Sequence, residues 1–213
     1  MTNMKVGILG SGDVGKSLAR GFAGLGHEVM IGSRSPEKLA EFAGATKGVR
    51  AGTFAETAAF GDLLALATLG AAAEEAIKLA GPANFDGKVV IDATNPLDFS
   101  GGAPKLFVGH TDSLGERIQR WIPNAKVVKA FNTAGNAFFV NPDFPNGPPD
   151  MFIAGDDGDA KKIVAQICRH FGWGVVDVGG IDGSRHLEPM CMVWVLHGVL
   201  SGSWNHAFRM LHK

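Results

Sequence analysis

Residues 4–34 read MKVGILGSGDVGKSLARGFAGLGHEVMIGSR. The apolar run at 6–9 is typical of a buried strand, and it stops at a glycine-rich turn, residues 10–15. Beyond the turn, apolar residues recur at helical spacing, and these are Val14, Leu18, Phe22 and Leu25. A second apolar run follows at 27–31. The stretch therefore predicts a strand, a tight turn, a helix and a second strand, which together form a βαβ unit.

The turn reads Gly-Ser-Gly-Asp-Val-Gly and has the spacing of a phosphate-binding fingerprint. In that pattern Gly10 allows the tight turn, Gly12 lets the backbone approach a pyrophosphate, and Gly15 lets the helix pack closely on the strand. The free N–H groups at the start of the helix would bind the pyrophosphate. Such turns also occur for packing alone, but the βαβ context favours dinucleotide binding. The cofactor-binding residues predicted here are Gly10, Ser11, Gly12, Asp13, Val14 and Gly15.

The end of the second strand indicates which dinucleotide is bound. Enzymes that use NAD usually place Asp or Glu there, and such a carboxylate would repel a 2′-phosphate. This chain has Ser33 and Arg34 instead, with Lys38 four residues beyond Arg34. A hydroxyl, a planar guanidinium and an ammonium are donors suited to a phosphate. We predict NADP(H) as the cofactor; the alternative is that Arg34 is a solvated loop residue before Pro36.

The rest of the chain continues to alternate predicted strands and helices. This alternation predicts an α/β fold of the Rossmann type with a doubly wound, mostly parallel sheet. Ligands of such sheets bind beyond the carboxyl ends of the strands. The residues predicted to follow strand ends at this crevice are Thr68, Leu69, Asn95, Pro96, Phe131, Asn132 and Thr133, and Ala130 is the last residue of the predicted strand before Phe131. For Thr68 and Asn95, plain turn chemistry is an equal alternative.

We predict a dinucleotide-binding domain over residues 1–135 and a small C-terminal α/β domain over 136–213. Residues 97–111 are glycine-rich and form a predicted loop over the sheet, a candidate lid. Residues 136–149 contain four of the ten prolines and are predicted to be a linker or an active-site loop. Residues 184–211 are predicted to be helical and apolar nearly all round. Such a helix must be buried, either in a dimer interface or as a wall of the cofactor pocket.

Composition and charge exclude several classes of function. The 213 residues carry a net charge of −1, so no basic field is available for nucleic acid or an anionic membrane surface. The longest apolar run, 189–196, is far too short to span a bilayer, and the N-terminus has no signal-peptide pattern. Two cysteines, Cys168 and Cys191, are too few for a metal site or a disulfide framework. We expect a cytoplasmic protein without metal, nucleic-acid or membrane partners.

The side chains available for catalysis favour hydride transfer between two rings. Reduction of a ketone or an imine usually requires a positioned proton donor such as Lys, His or Tyr. The chain has no tyrosine, and beyond Ala130 its only lysines are Lys161, Lys162 and Lys213. When the acceptor is itself a flavin-like ring, no protein acid or base is obligatory. We therefore name no catalytic side chain and expect a small-molecule redox acceptor.

Five motifs stand in order along almost the whole chain: GSGDVG at 10–15, GSR at 32–34, VVKAFNT at 127–133, FIAGDD at 152–157 and LEPM at 187–190. Together they resemble the coenzyme F420-dependent NADP oxidoreductase family. The resemblance implies a Rossmann domain, a small C-terminal domain, a homodimer, and hydride exchange between NADP(H) and the deazaflavin F420. It places around the 2′-phosphate Ser11, Ser33, Arg34 and Lys38. Bordering the nicotinamide and its acceptor, it places Asn95, Pro96, Ala130, Phe131, Asn132 and Thr133.

The sequence departs from the archaeal members of that family at one place. Those members look to have a histidine where this chain has Asn132, and their following Ile-Pro is Ala134-Gly135 here. The Phe-Asn-Thr version is similar to bacterial members and to the cytosolic domain of the STEAP metalloreductases, in which a flavin takes the hydride and passes electrons to iron. Three functions follow in order of expectation: an NADPH:F420 oxidoreductase, an NADPH:flavin (FAD or FMN) or ferric reductase, and a non-catalytic NADPH-binding sensor.

Overall fold

The computed structural model describes residues 3–211 and Lys213, which fold around one eight-stranded sheet with an additional small hairpin. The strands are β1 (Lys5–Leu9), β2 (Glu28–Gly32), β3 (Val49–Gly52), β4 (Leu63–Leu66), β5 (Val89–Asp92), β6 (Leu97–Asp98), β7 (Lys105–Leu106), β8 (Lys126–Lys129), β9 (Asp150–Gly155) and β10 (Gly174–Asp177). The helices are α1 (Asp13–Gly24), α2 (Ala40–Ala45), α3 (Phe54–Phe60), α4 (Ala73–Ala80), α5 (Leu114–Trp121), α6 (Gly158–His170) and α7 (Ser184–Ser201).

The main sheet has the strand order β10-β9-β8-β5-β4-β1-β2-β3. Its neighbouring strands are parallel, except for the antiparallel pair β8 and β9. From β1 the chain runs outward through β2 and β3, then returns to the other side of β1 for β4 and β5. This order confirms the predicted doubly wound, mostly parallel Rossmann-type sheet. The order reverses between β1 and β4, which is where such sheets bind their ligands.

Two glycines set the path of the chain at this reversal point. Gly10 has a φ of 134°, a conformation that other residues rarely adopt, and a Cβ there would overlap the carbonyl group of Ala67. A Cβ on Gly15 would overlap the carbonyl oxygen of Gly10. The N–H of Gly10 also donates to the carbonyl of Gly32 at 3.1 Å. These contacts bring the start of α1, the end of β1 and the end of β2 together at one point.

The two strands that follow residue 136 extend the same sheet. In the β8–β9 pair, Val128 lies opposite Gly155, and β10 continues the sheet in parallel with β9. The core is continuous across this junction, because Phe22 of α1 packs against Phe171 with 5.3 Å between the ring centroids. The predicted boundary at 135/136 therefore falls within one sheet, and a separate C-terminal domain stays a prediction.

The C-terminal helix is shorter than the sequence predicts. A helix over 184–211 is expected, whereas α7 ends at Ser201. The next residue, Gly202, adopts a left-handed conformation with a φ of 66°, which glycine takes without steric cost and which ends helices. The prediction is therefore wrong for 202–211, because Gly202 ends the helix although apolar residues continue beyond it.

Residues 203–211, here called the C-terminal tail, run back over the sheet instead. The N–H of Met210 donates to the carboxylate of Asp150 at 2.8 Å, and the N–H of Asp150 donates to the carbonyl of Phe208 at 2.9 Å. The side chain of Phe208 packs against the apolar cluster that contains Phe152 and Leu187. The tail is therefore fixed by β9, a partner that is distant in sequence and that local periodicity does not reveal.

The predicted loop at 97–111 contains the β6–β7 hairpin. Leu97 pairs with Leu106, and Asp98 pairs with Lys105, whose ammonium lies 3.2 Å from the Asp98 carboxylate. Strands of two residues are too short to produce an alternating pattern, which is why the sequence indicates only a loop here. A role for this segment as a lid stays a prediction.

Within residues 3–211, no helix combines the length and the apolar character that crossing a bilayer requires.

Candidate functional site

A cavity of about 510 Å³ lies beyond the carboxyl ends of β1, β2 and β4, at the reversal point of the sheet. The residues that line it are Gly10, Ser11, Gly12, Asp13, Val14, Ser33, Arg34, Phe54, Ala67, Thr68, Leu69, Ala72, Glu75, Ala76, Leu79 and Asn136. Nine of the predicted cofactor-binding residues are among them; those outside the lining are Gly15, Lys38, Asn95 and Ala130. The cavity is therefore built largely from the segments that the sequence indicates.

The glycine turn forms the base of this cavity. A Cβ added to Gly12 would meet nothing within 4 Å, in contrast to the overlaps at Gly10 and Gly15. Gly12 is also the N-cap of α1, and among the described residues no side chain caps this helix. The first N–H groups of α1 are therefore available to an anion, and the helix dipole favours negative charge there. Gly10 and Gly15 shape the turn, whereas Gly12 leaves space for a ligand.

The loop after β2 presents two polar side chains to the cavity. The hydroxyl oxygen of Ser33 accepts the N–H of Ser35 at 3.1 Å, which leaves its own proton available to a ligand. Arg34 is exposed, and within the described part of the chain its guanidinium forms no ion pair. Lys38 lies in a short 3₁₀ turn, Pro36–Leu39, and is exposed at the edge of the same loop. This surface suits a phosphate that extends out of the cavity.

The loop after β4 forms the opposite side. The hydroxyl of Thr68 is buried and has no hydrogen-bond partner among residues 3–211, although it lines the cavity. Buried hydroxyls are rarely left without a partner, so this one is suited to a ligand atom. Leu69 is 81% exposed at the cavity mouth. The next residue is Gly70. A Cβ at this position would overlap the carbonyl of Asn95, so the close approach of the two loops requires glycine.

One wall of the cavity is apolar, and the sequence did not indicate it. Phe54 starts α3, while Ala72, Ala76 and Leu79 form a stripe along α4 and the turn before it. Their spacing is that of a buried helical face, so periodicity alone assigns them to the core. Apolar side chains of this kind are suited to contact one face of an aromatic base. Glu75 lies on the same helix and adds a carboxylate to the lining.

Asn136 is a second lining residue that sequence reasoning missed. It begins the 3₁₀ turn Asn136–Phe138, and its amide nitrogen lies 3.5 Å from the hydroxyl of Ser17 on α1. Asn136 therefore contacts α1 shortly after the glycine turn, although the two residues are 119 apart in sequence. The proline-rich composition of 136–149 indicated a candidate active-site loop, but nothing in that pattern singled out this side chain.

Beyond the cavity lining, Asn95 and Asn132 form an amide pair across the ends of β5 and β8. The side-chain NH₂ of Asn95 donates to the carbonyl of Asn132 at 2.8 Å. The side-chain NH₂ of Asn132 donates to the amide oxygen of Asn95 at 3.1 Å and to the carbonyl of Leu187 at 2.9 Å. The amide oxygen of Asn132 has no partner in the described chain. The structure thus brings together two residues that are 37 apart in sequence.

The residues beside the amide pair differ in their surroundings. Phe131 has a φ of 62°, unusual for a side chain of this size, and its N–H donates to the sulfur of Met151 at 3.0 Å. Its ring packs in the core against Phe139 and Phe171, at centroid distances of 5.1 and 5.8 Å. The ring of Phe131 is therefore a core side chain, and the turn that it occupies positions Asn132. Pro96, Ala130 and Thr133 adjoin the pair in sequence but lie outside the cavity lining.

A buried ion cluster adjoins the amide pair, and sequence reasoning missed it. The ammonium of Lys129 lies 2.7 Å from the carboxylate of Asp92 and 2.9 Å from that of Glu188, and it donates to the carbonyl of Thr94 at 2.9 Å. All three ionised side chains are at most 1% exposed. Burial opposes the charge on Lys129, but attraction to both carboxylates outweighs it and raises the pKa of the ammonium above its usual value. The sequence signal that could have revealed this cluster is Lys129, a charged residue at the end of a strand whose preceding residues are apolar.

Glu188 connects this cluster to α5. Its carboxylate accepts the N–H groups of Leu114 and Gly115 at 3.0 and 2.9 Å, so it occupies the positive end of that helix. Gly115 lets α5 and the start of α7 approach each other closely, because a Cβ there would overlap the hydroxyl of Ser184. The cluster therefore holds β5, β8, α5 and α7 in one arrangement beside Asn95 and Asn132.

The two cysteines do not supply a reactive thiolate. Burial raises the pKa of Cys168 and of Cys191 to about 12, so both are thiols near neutral pH. The described residues also hold no group of three or more His, Cys, Asp or Glu side chains arranged for a metal ion. The ionisable side chains that line the cavity are Asp13, Arg34 and Glu75. The arrangement is suited to binding a dinucleotide rather than to acid or base catalysis within the cavity.

Comparison with protein families gives a match over residues 5–96 to the family described as NADP oxidoreductase, coenzyme F420-dependent. The F420-dependent NADP reductase of Methanothermobacter marburgensis is 32% identical over 211 residues, covering 88% of this chain and 89% of that protein. The metalloreductase STEAP3 of Rattus norvegicus is 31% identical over 187 residues, which cover 87% of this chain. The chain spans only 36% of the length of STEAP3.

Comparison with solved structures gives a similar result. A crystal structure from Arthrobacter sp. FB24, of a protein provisionally named as an F420-dependent NADP reductase, has a TM-score of 0.94 and 39% sequence identity. The alignment covers 99% of this chain and 100% of that one.

The open space at Gly12 leads to a prediction that separates ligand binding from folding. Because a methyl group there meets no protein atom, Gly12→Ala should leave the melting temperature unchanged. The same methyl group should occupy the place of a phosphate and weaken NADPH by at least about tenfold, measured by calorimetric titration.

The matched control for this variant is Gly24→Ala. Gly24 lies at the other end of α1 and also has nothing within 4 Å of an added Cβ. It should leave NADPH binding unchanged and raise the melting temperature slightly, because alanine is a better helix former than glycine. Undiminished NADPH binding by Gly12→Ala would show that the phosphate does not lie on the glycine turn.

Proposed function

The chain belongs to the family of F420-dependent NADP oxidoreductases, and from that premise we propose that it transfers hydride between NADPH and a flavin-like acceptor, with coenzyme F420 as the first candidate. Membership makes it an NADPH-dependent oxidoreductase. The observation that carries the finer proposal is that one cavity at the sheet reversal point is lined both by Gly12, where a Cβ would meet nothing, and by Arg34, which forms no ion pair within the described residues.

The residues present fit NADP(H). The glycine turn would bind the pyrophosphate through the first N–H groups of α1, since Gly12 leaves the space and no described side chain competes for them. The 2′-phosphate would be bound by Ser11, Ser33 and Arg34, with Lys38 adding charge from the edge of the loop. The buried hydroxyl of Thr68 would donate to or accept from the ligand and so gain the partner that it lacks. The apolar stripe of α4 would support the base.

When bound, NADPH supplies the hydride, and the chain's own residues orient the ring and exclude water. We place the nicotinamide and its acceptor beside Asn95, Pro96 and the 130–133 segment. The amide oxygen of Asn132, which has no partner within the described residues, would accept a hydrogen bond from the carboxamide NH₂ of the nicotinamide or from an N–H group of the acceptor. The amide pair then fixes orientation, while no side chain needs to deliver a proton to a flavin-like acceptor.

A second acceptor follows from the similarity to STEAP3, which is named as a metalloreductase. In that case FAD or FMN would accept the hydride and release single electrons to ferric iron, a step that a deazaflavin does not perform because it transfers electrons in pairs. The part of STEAP3 that this chain spans is about a third of its length, so iron reduction would require the flavin to be free or to be held elsewhere. A non-catalytic NADPH-binding sensor is the third candidate.

The C-terminal segment 136–213 would complete the acceptor pocket and also form a homodimer interface. One face of α7 packs on the sheet through Leu187, Cys191 and Val195. The opposite face exposes Val193, Leu196 and Leu200, at spacings of three and four residues, and Leu200 is 86% exposed. Contiguous exposed apolar side chains on a helix are typical of an interaction surface, and a second copy of the chain would cover this one.

The acceptor can be identified by mixing the purified protein with NADPH and, separately, with F420, FAD or FMN. We expect NADPH absorbance to fall fastest with F420, because the relatives that match this chain over most of their own length are named as F420-dependent. The Gly12→Ala variant is the control for background oxidation. Consumption with FAD or FMN but not with F420 would support the flavin reductase. Tight NADPH binding without consumption by any acceptor would support the sensor.

Specificity for the phosphorylated nucleotide is tested by Arg34→Ala. Loss of one charge-assisted contact should weaken NADPH by about tenfold to a hundredfold and leave NADH nearly unchanged, as measured by titration. The control is Arg50→Ala, an exposed arginine in β3 that pairs with Glu28 at 3.7 Å outside the cavity. An equal loss for NADH and NADPH would mean that Arg34 has a structural role instead.

Dimer formation is tested by Leu196→Glu combined with Leu200→Glu. Two buried charges without partners should convert the dimer to a monomer in analytical ultracentrifugation, while the melting temperature changes little because both side chains are exposed in a single copy. Leu25→Glu, at the end of α1, is the matched substitution of a partly exposed leucine and should leave the dimer intact. A monomeric wild-type protein would contradict the proposal.

A further inference from the structure

The ionisation states of the buried cluster can be read from its hydrogen bonds. In the described structure, Oδ1 of Asp92 accepts the N–H and the hydroxyl of Thr94, and Oδ2 forms an ion pair with the ammonium of Lys129 at 2.7 Å. The partners of Glu188 are the same ammonium and two backbone N–H groups of α5. A carboxylate surrounded by donors is ionised, because a proton on it would have no acceptor.

The cluster therefore carries a net charge of −1, from two carboxylates and one ammonium. The neighbouring Glu116 and Arg185 pair with each other and add no net charge. The N–H groups at the start of α5 disperse part of the charge on Glu188, but they supply only the partial charge of a helix end. All three groups are excluded from solvent, so water does not screen them.

The cluster and the amide pair share a backbone frame. Thr94, whose carbonyl accepts from Lys129, is followed by Asn95. Leu187, whose carbonyl accepts from Asn132, is followed by Glu188. In each of these two segments, one residue therefore contacts or belongs to the ion cluster, and its neighbour contacts or belongs to the amide pair. The negatively charged cluster and the amide pair that would orient the nicotinamide are therefore connected through adjacent residues of the backbone.

We propose that Asp92, Lys129 and Glu188 bias the bound nucleotide toward its oxidised form and so make bound NADPH a stronger hydride donor. The inference rests on the proposed function, which places the nicotinamide beside Asn95 and Asn132. Hydride release breaks the C4–H bond, sends both electrons to the acceptor and leaves the nicotinamide ring with a positive charge. A fixed negative charge nearby attracts that cationic ring and has no comparable attraction for the neutral one.

The test is the ratio of the dissociation constants of NADP⁺ and NADPH, measured by calorimetric titration on the full chain. Glu188→Gln and Asp92→Asn each remove one negative charge and make the cluster neutral. Each variant should therefore raise the ratio by about tenfold, the effect of a unit charge in a poorly screened site. Two variants are used because either one can lose stability when its remaining partners are left imperfectly paired.

The uncharged control is Ile118→Ala, which removes a buried side chain from the same helix, α5, without changing the cluster. It should lower the melting temperature and leave the ratio unchanged. A carboxylate variant that weakens both nucleotides equally would show that the cluster only supports the fold, and a fall in the ratio would also overturn the inference. Failure of the wild-type protein to bind either nucleotide would instead contradict the proposed function.

Discussion

The ammonium group of Lys129 ties a loop and a helix to two neighbouring strands of the sheet, β5 and β8. Through Asp92 it connects the ends of β5 and β8, through the carbonyl of Thr94 it fixes the loop after β5, and through Glu188 it attaches α7. Each contact is buried, and removing one member of such a group leaves an uncompensated charge, at a cost of about 3–5 kcal/mol. The arrangement of side chains beyond β5 and β8 therefore depends on a single lysine.

The site has two ends with different physical character. At the glycine turn, the donors are backbone N–H groups and exposed side chains such as Arg34, which suit a solvated phosphate. At the other end, Asn132 is buried and Asn95 is partly buried, the two are bonded to one another, and the backbone that carries them also carries the charged cluster. Under the proposed function, the first end would contribute affinity and select the nucleotide, whereas the second would influence the reaction because its charges are poorly screened.

The sequence was sufficient for the parts of the structure that local patterns encode. The glycine spacing and the alternation of strands predicted the sheet and the cavity base, and the hydrogen bond from Gly10 to Gly32 explains why Ser33 and Arg34 lie beside that base. Contacts between distant segments were not encoded locally. Glu188 reaches Leu114 from 74 residues away, and the apolar stripe of α4 has the same periodicity whether it faces a core or a ligand.

The C-terminal tail follows in the chain every segment that it contacts. Phe208 covers a cluster formed by Phe152 and Leu187, and it is bonded to Asp150 at the start of β9. During synthesis, these residues therefore leave the ribosomal exit tunnel after the cluster that they cover. Until they arrive, one apolar edge of the nascent chain is exposed, and this is the interval in which a chaperone would find a binding surface.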